Sequence, residues 1–147
     1  MVGMNYEFEH SIGCPVSRDF AWRFWSDVGN WAVVDPSVEW VRLDGPFVSG
    51  SRGTTKPRGF DATEWVLSEV QDGGSAVIEV TARGAVMRFS WVFEESSSGG
   101  TRITQRVSLE GERAGDYVEA MKGFEEGIPA GMRSLAQSMV RAANGAA

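Results

Sequence analysis

A single cysteine, Cys14, in a chain of 147 residues leaves no partner for an intrachain disulfide. A single histidine, His10, leaves a zinc site of the usual Cys and His type short of ligands. No stretch approaches the roughly 20 consecutive apolar residues that a spanning helix needs, so stable membrane insertion is not expected. No GxSxG is present, and no Gly-rich loop follows a strand and opens a helix, so acyl-enzyme and nucleotide chemistry have no visible footing. Neither metal nor cofactor is expected. The N-terminal residues do not combine a basic start, an apolar run and a small-residue cleavage site, and the expectation is a cytoplasmic protein. Basic residues are also short, 14 against 20 acids, and the net charge of -6 with a pI near 4.8 opposes attraction to nucleic acid or to an anionic membrane surface. The one basic cluster, Arg52, Lys56 and Arg58 in "SRGTTKPRGF", reads as a solvated strand and turn.

What the chain does have is apolar and aromatic surface, 42% and 11% of its residues, enough for the core of one domain spanning 1–147. Tyr6, Phe8, His10 and Ile12 alternate with Glu7, Glu9 and Ser11, the period of two that marks a half-buried strand. "CPVSRDFAWRFWSD" follows, in which Ser17 can cap a short helix with Phe20, Ala21, Phe24 and Trp25 at helical spacing. A second short helix or turn is expected before Pro36. From Val38 to Leu109, runs such as "VEWVRLDG", "TEWVLSEVQ" and "AVIEVTA" end at Gly-containing turns and read as hairpin strands. Met87, Phe89, Trp91 and Phe93 share one face of one strand, and Ile103, Gln105, Val107 and Leu109 share one face of the next.

The dry face of such a sheet needs a cover, and residues 116 to 143 supply one. Tyr117, Met121, Phe124, Ile128, Met132, Leu135 and Met139 recur at three and four, with Asp116 and Glu119 spaced as a capping box. The pattern predicts one long amphipathic helix that bends at Pro129. Gly123, Gly127 and Gly131 repeat every four residues on a neighbouring face, each costing about 1 kcal/mol relative to Ala. A bend, or room for something beside the helix, accounts for them.

Strand, two short helices, six antiparallel strands and a long C-terminal helix make an α+β helix-grip arrangement, a curved sheet of about seven strands around a helix. Three segments carry a family likeness: "CPVSRDFAWRFWSDVGNWAVVDP", "LSEVQDG" on the fourth strand and "GFEEGIPAGMRSLAQSM" in the last helix. In them the sequence resembles the START/Bet v 1-like (SRPBCC) superfamily, and within it the bacterial polyketide cyclase/dehydrase and lipid-transport type proteins. The resemblance implies a cavity between sheet and helix, closed at one end by the two short helices, in a superfamily that hosts carriers, receptors and enzymes alike.

On that frame the aromatic-rich stretch 24–40 becomes either a plug at the cavity end, formed by Trp25, Trp31 and Trp40, or plain core filling. The expected ligand-binding wall is Tyr6, Phe8, Trp25, Trp31, Trp65, Met87, Phe89, Trp91, Gln105, Phe124 and Ile128, and the expected ligand an apolar or aromatic small molecule of lipid, polyketide or isoprenoid type. His10, inward by strand parity, is either a hydrogen-bonded core histidine or an acid-base residue for a cyclase or dehydratase. A nucleophile pair of Cys14 and His10 is set aside because the two are expected to point in different directions. Glu125 reads as a surface carboxylate, and the facing of Glu64 and Glu69 is open. A closed cavity with an interaction surface around Val33, Val34 and Val38 is the remaining reading, and a homodimer is left open.

Overall fold

The structure, a computed structural model, describes residues 6–145. Its elements in chain order are β1 (Tyr6–Cys14), α1 (Arg18–Ser26), α2 (Gly29–Val34), β2 (Val38–Asp44), β3 (Arg52–Pro57), β4 (Thr63–Gln71), β5 (Ser75–Ala82), β6 (Ala85–Glu95) and β7 (Thr101–Glu110). A 3-10 turn (Ala114–Tyr117), α3 (Val118–Met121) and α4 (Phe124–Ala143) complete it. All seven strands lie in one antiparallel sheet of order β1-β7-β6-β5-β4-β3-β2. Sequential hairpins build β2 to β7, while α1 and α2 carry the chain from β1 to the opposite edge. This is the helix-grip arrangement that the alternation of residues predicts.

Register decides which side chains meet. Residues directly opposite one another in an antiparallel pair point to the same face. His10 faces Gln105, Gln105 faces Trp91 and Trp91 faces Ala76, so these four form one inward row across the sheet. Phe8, Val107, Phe89, Ile78 and Leu67 form the next. A register shift between Leu67 and Glu69 then returns Val70 to the inner face and leaves Glu69 exposed with Glu64. On the outer face Arg88 joins Glu79 and Glu110, and Arg106 joins Glu7. Those carboxylates, Glu110 foremost, raise the Arg88 pKa further.

Helix α1 is capped as expected, the amide of Phe20 donating to Ser17 Oγ at 3.1 Å. Its buried stripe includes Trp22 as well as Ala21 and Trp25. Trp22 was not singled out by the helical spacing. It lies one residue beyond Ala21, within the breadth of a core-facing stripe, and its indole N–H is satisfied by Asp72 Oδ1 at 3.0 Å.

The C-terminal segment departs from the expected single helix. The capping box does not form: Asp116 pairs with Arg113 instead, and α3 has no side-chain cap. The helix is interrupted at Lys122 and Gly123, where the backbone stays right-handed but Glu125 N–H bonds back only three residues, to Lys122. Glycine's poor helix propensity marks this joint. Pro129 lies inside α4, as its sixth residue, and is not where the segment divides. Ile128, Met132, Leu135 and Met139 are buried as their spacing requires.

Gly53 on β3 is the one strand glycine whose missing side chain is plainly occupied. A Cβ there would collide with the ring of Trp65, its cross-strand partner, whose indole donates to Thr55 Oγ1 at 2.9 Å. Gly53→Val should therefore destabilise the fold by about 1–3 kcal/mol through overpacking, measured as a lower urea midpoint with an unchanged slope.

Candidate functional site

The position of α4 decides where the interior stays open. It packs along β1, at one edge of the sheet, while α2 lies against β2 at the other. Between them the inner face of β5, β6 and β7 is left without a close-packed cover. A cavity of about 400 Å³ occupies this space, within the range of small-molecule sites. The sheet contributes Ile78, Phe89, Trp91 and Gln105 to its wall. From α4 come Phe124, Gly127, Ile128, Gly131, Met132 and Leu135, and from the α1–α2 region Phe24, Trp25, Asn30, Trp31, Val34 and Asp35.

Aromatic rings hold the α1–α2 end in place. Trp25 stands 5.0 Å from Trp91, 5.8 Å from Trp31 and 5.3 Å from Phe93 between ring centroids, and Trp31 continues to Trp65 at 5.4 Å. Phe89 meets Phe124 edge to face at 5.6 Å, closing the sheet against α4. Such contacts contribute about 0.5–1.5 kcal/mol each beyond burial. The Trp31 indole donates to the Trp25 carbonyl at 2.7 Å, and Asn30 Nδ2 donates to the Phe24 carbonyl at 2.9 Å, so the short α2 is tied to α1. Ser134 on α4 donates to the Val34 carbonyl at 2.9 Å and ties α2 across the mouth.

Seven of the eleven residues expected in the wall are there: Trp25, Trp31, Phe89, Trp91, Gln105, Phe124 and Ile128. Four are not. Tyr6 and Phe8 face inward on β1, but α4 lies over that strand, and Met87 sits in the row of Tyr6, Leu109 and Val80 beyond the open region. Trp65 is buried behind Trp31, its ring spent on Gly53. His10 is half-buried on the inner face beside Gln105 and does not line the cavity, again because β1 is the strand α4 covers.

Trp40 does not join the plug. It lies past a register irregularity in β2, paired with Lys56, and is exposed with Arg42 stacked 5.9 Å from its ring. Cys14 shares the inward face of β1 with His10, so the two point the same way after all. They stand four residues apart, about 13 Å along a strand, and distance is what keeps them from pairing. Burial pushes the Cys14 thiol pKa up, and its Sγ contacts the Ala136 carbonyl at 3.7 Å. Of the suggested surface patch, Val33 is exposed while Val34 and Val38 are half-buried.

Nothing in the sequence pattern marks Asn30, Val34 or Asp35 as wall residues, because a helix of six residues and its cap carry no periodic signal. Gly127 and Gly131 did leave one, their four-residue spacing; a Cβ on either would meet nothing within 4 Å. Asp35 is the one titratable side chain in the wall among the described residues. It is exposed at the rim, where its Oδ1 accepts from the amide and hydroxyl of Ser37 at 2.9 and 2.7 Å.

Residues 6–140 match the family described as Polyketide cyclase / dehydrase and lipid transport. The chain belongs to that family. No curated protein matches the sequence significantly. Among solved structures, truncated norcoclaurine synthase from Thalictrum flavum superimposes with a TM-score of 0.72 at 10% identity, over 93% of this chain and 94% of that one. The Zhui aromatase/cyclase from Streptomyces sp. R1128 gives 0.72 at 14%, over 94% and 95%. Ara h 8.0201 gives 0.71 at 13%, over 93% and 99%. At these identities the likeness is one of fold, that of the Bet v 1-like proteins. No described helix is long and apolar enough to cross a membrane.

Away from the cavity, Tyr6 Oη donates to Glu125 Oε2 at 2.8 Å, joining β1 to the start of α4. Partial burial, this bond and the charge of the carboxylate raise the phenol to about 12. Because the folded pKa lies above the unfolded value near 10, the contribution is complete below about pH 10 and is lost as pH rises towards 12. An ultraviolet titration should show a late phenol that disappears in Tyr6→Phe.

Proposed function

We propose that this chain holds an apolar or aromatic small molecule in the cavity between β5–β7 and α4. The observation that carries the reading is the wall itself. It is mostly apolar and rich in aromatic rings, two of its residues are glycines at which a Cβ would meet nothing, and its one buried amide side chain is Gln105. Burial of ligand surface would supply most of the affinity, at roughly 25 cal/mol per Å² of apolar area. Met132 adds a wall that adjusts to shape. Lipid, polyketide and isoprenoid ligands all meet this description. A cytoplasmic setting belongs to the same reading.

The family also includes cyclases and dehydrases, and a cavity that bends a reactive chain would serve either purpose. Ligand holding is placed first because proton transfer needs a titratable group within reach of the ligand. His10 does not line the cavity, and Asp35 is an exposed residue of its wall.

Gly131→Leu separates stability from binding. Leucine there removes a helix glycine, worth up to about 1 kcal/mol, and its side chain extends into open space at the wall. The melting temperature should rise while uptake of an apolar fluorescent probe falls at least about tenfold. Ile128→Trp should also reduce uptake in a folded protein. Undiminished uptake in both variants would place the ligand elsewhere.

A further inference from the structure

The polar groups at depth define what a ligand must offer. Gln105 is more than nine-tenths buried, lines the cavity, and its side-chain amide bonds to no described residue. No described side-chain nitrogen or oxygen is sealed away without a partner, so this amide borders the open space itself. Trp91 is its direct cross-strand neighbour, and Trp25 stands 5.0 Å from Trp91. Both indoles line the cavity, and neither N–H bonds to a described residue. The other inward indoles differ: those of Trp22, Trp31 and Trp65 are each spent on Asp72, Trp25 or Thr55.

We propose that Gln105, Trp91 and Trp25 form a donor subsite that selects aromatic ligands bearing an uncharged carbonyl or hydroxyl oxygen and rejects carboxylates and phosphates. The inference rests on the cavity being the binding site and adds the chemical class of its occupant. Gln105 brings two N–H donors and each indole one, against a single amide oxygen as acceptor. An occupant that is purely hydrocarbon would leave the buried amide unpaired, which is costly. Full negative charge is refused for a separate reason. No Lys, Arg or His lines the cavity, the carboxylate at the rim is Asp35, and the chain carries a net charge of -6. A buried anion with neutral donors alone and no countercharge loses more in hydration than it regains.

Three naphthalenes of nearly one shape test this by calorimetry at neutral pH: 2-acetylnaphthalene, 2-isopropylnaphthalene and 2-naphthoate. The ketone should bind about three- to tenfold more tightly than the hydrocarbon, the worth of one or two neutral hydrogen bonds, and the carboxylate at least tenfold more weakly than the ketone. Gln105→Met keeps the side-chain volume and should erase the preference for the ketone over the hydrocarbon, weakening the ketone and tightening the hydrocarbon, which no longer leaves a buried amide unpaired. If that variant does not fold, the ranking on the unaltered protein still decides. Equal affinity for ketone and hydrocarbon, or a carboxylate that binds as well as the ketone, overturns the donor subsite and leaves the cavity reading standing. Binding of none of the three overturns both.

Discussion

One helix cannot cover seven strands. At about 4.8 Å between neighbours the sheet spans close to 30 Å, whereas a helix with its side chains is about 10–12 Å across. With α4 committed to β1, the inner faces of the central strands must be covered from elsewhere, and what reaches them is the aromatic set of α1 and α2. Rings are suited to this because each covers a large area with few rotatable bonds. They bridge the gap at its α1–α2 end but do not fill it. The cavity follows from the mismatch between a broad sheet and a narrow helix.

The same constraint explains how polarity is distributed. Where indoles serve as structure, their N–H groups are consumed: Trp22 on a turn carboxylate, Trp31 on the backbone of α1, Trp65 on a neighbouring strand hydroxyl. Those bonds lock the rings in orientation and make them wall or foundation. Towards the open region the pattern stops, and Gln105, Trp91 and Trp25 are left with donors that the described residues do not use. Trp31 and Asn30 line the cavity too, but their N–H groups are spent on the backbone of α1, so the donors left for an occupant are those of Gln105, Trp91 and Trp25.

The strands and their facing were legible in the sequence because alternation has a period of two and the sheet is antiparallel throughout. Phe89, Trp91 and Gln105 could be placed on one surface from that alone. Parity reports a face, however, and says nothing about which part of the face a helix will cover. Tyr6, Phe8 and His10 have the right parity and the wrong strand; Met87 has the right strand and the wrong row. Trp65 was hidden by a different effect, the glycine opposite it, which draws the ring onto β3 and out of the cavity. The interruption at Gly123 was equally obscure, since the apolar spacing runs through it without a break and Pro129 offers the more conspicuous signal. In α2, six residues are too few for any period to show.

The glycines of α4 join stability to function in one element. A helix that merely covered a sheet would gain from Ala at 127 and 131, where a Cβ meets no obstacle and each exchange is worth up to about 1 kcal/mol. The neighbouring face of the same helix, with Ile128, Met132, Leu135 and Met139, is packed tightly enough that little could be added. The helix is therefore filled along its buried stripe, part of which also lines the cavity, and bare at Gly127 and Gly131, two exposed positions in the same wall. Folding alone gives no reason for glycine at those two positions, whereas a site that must stay open beside the helix gives one, and Gln105, Trp91 and Trp25 line the same cavity.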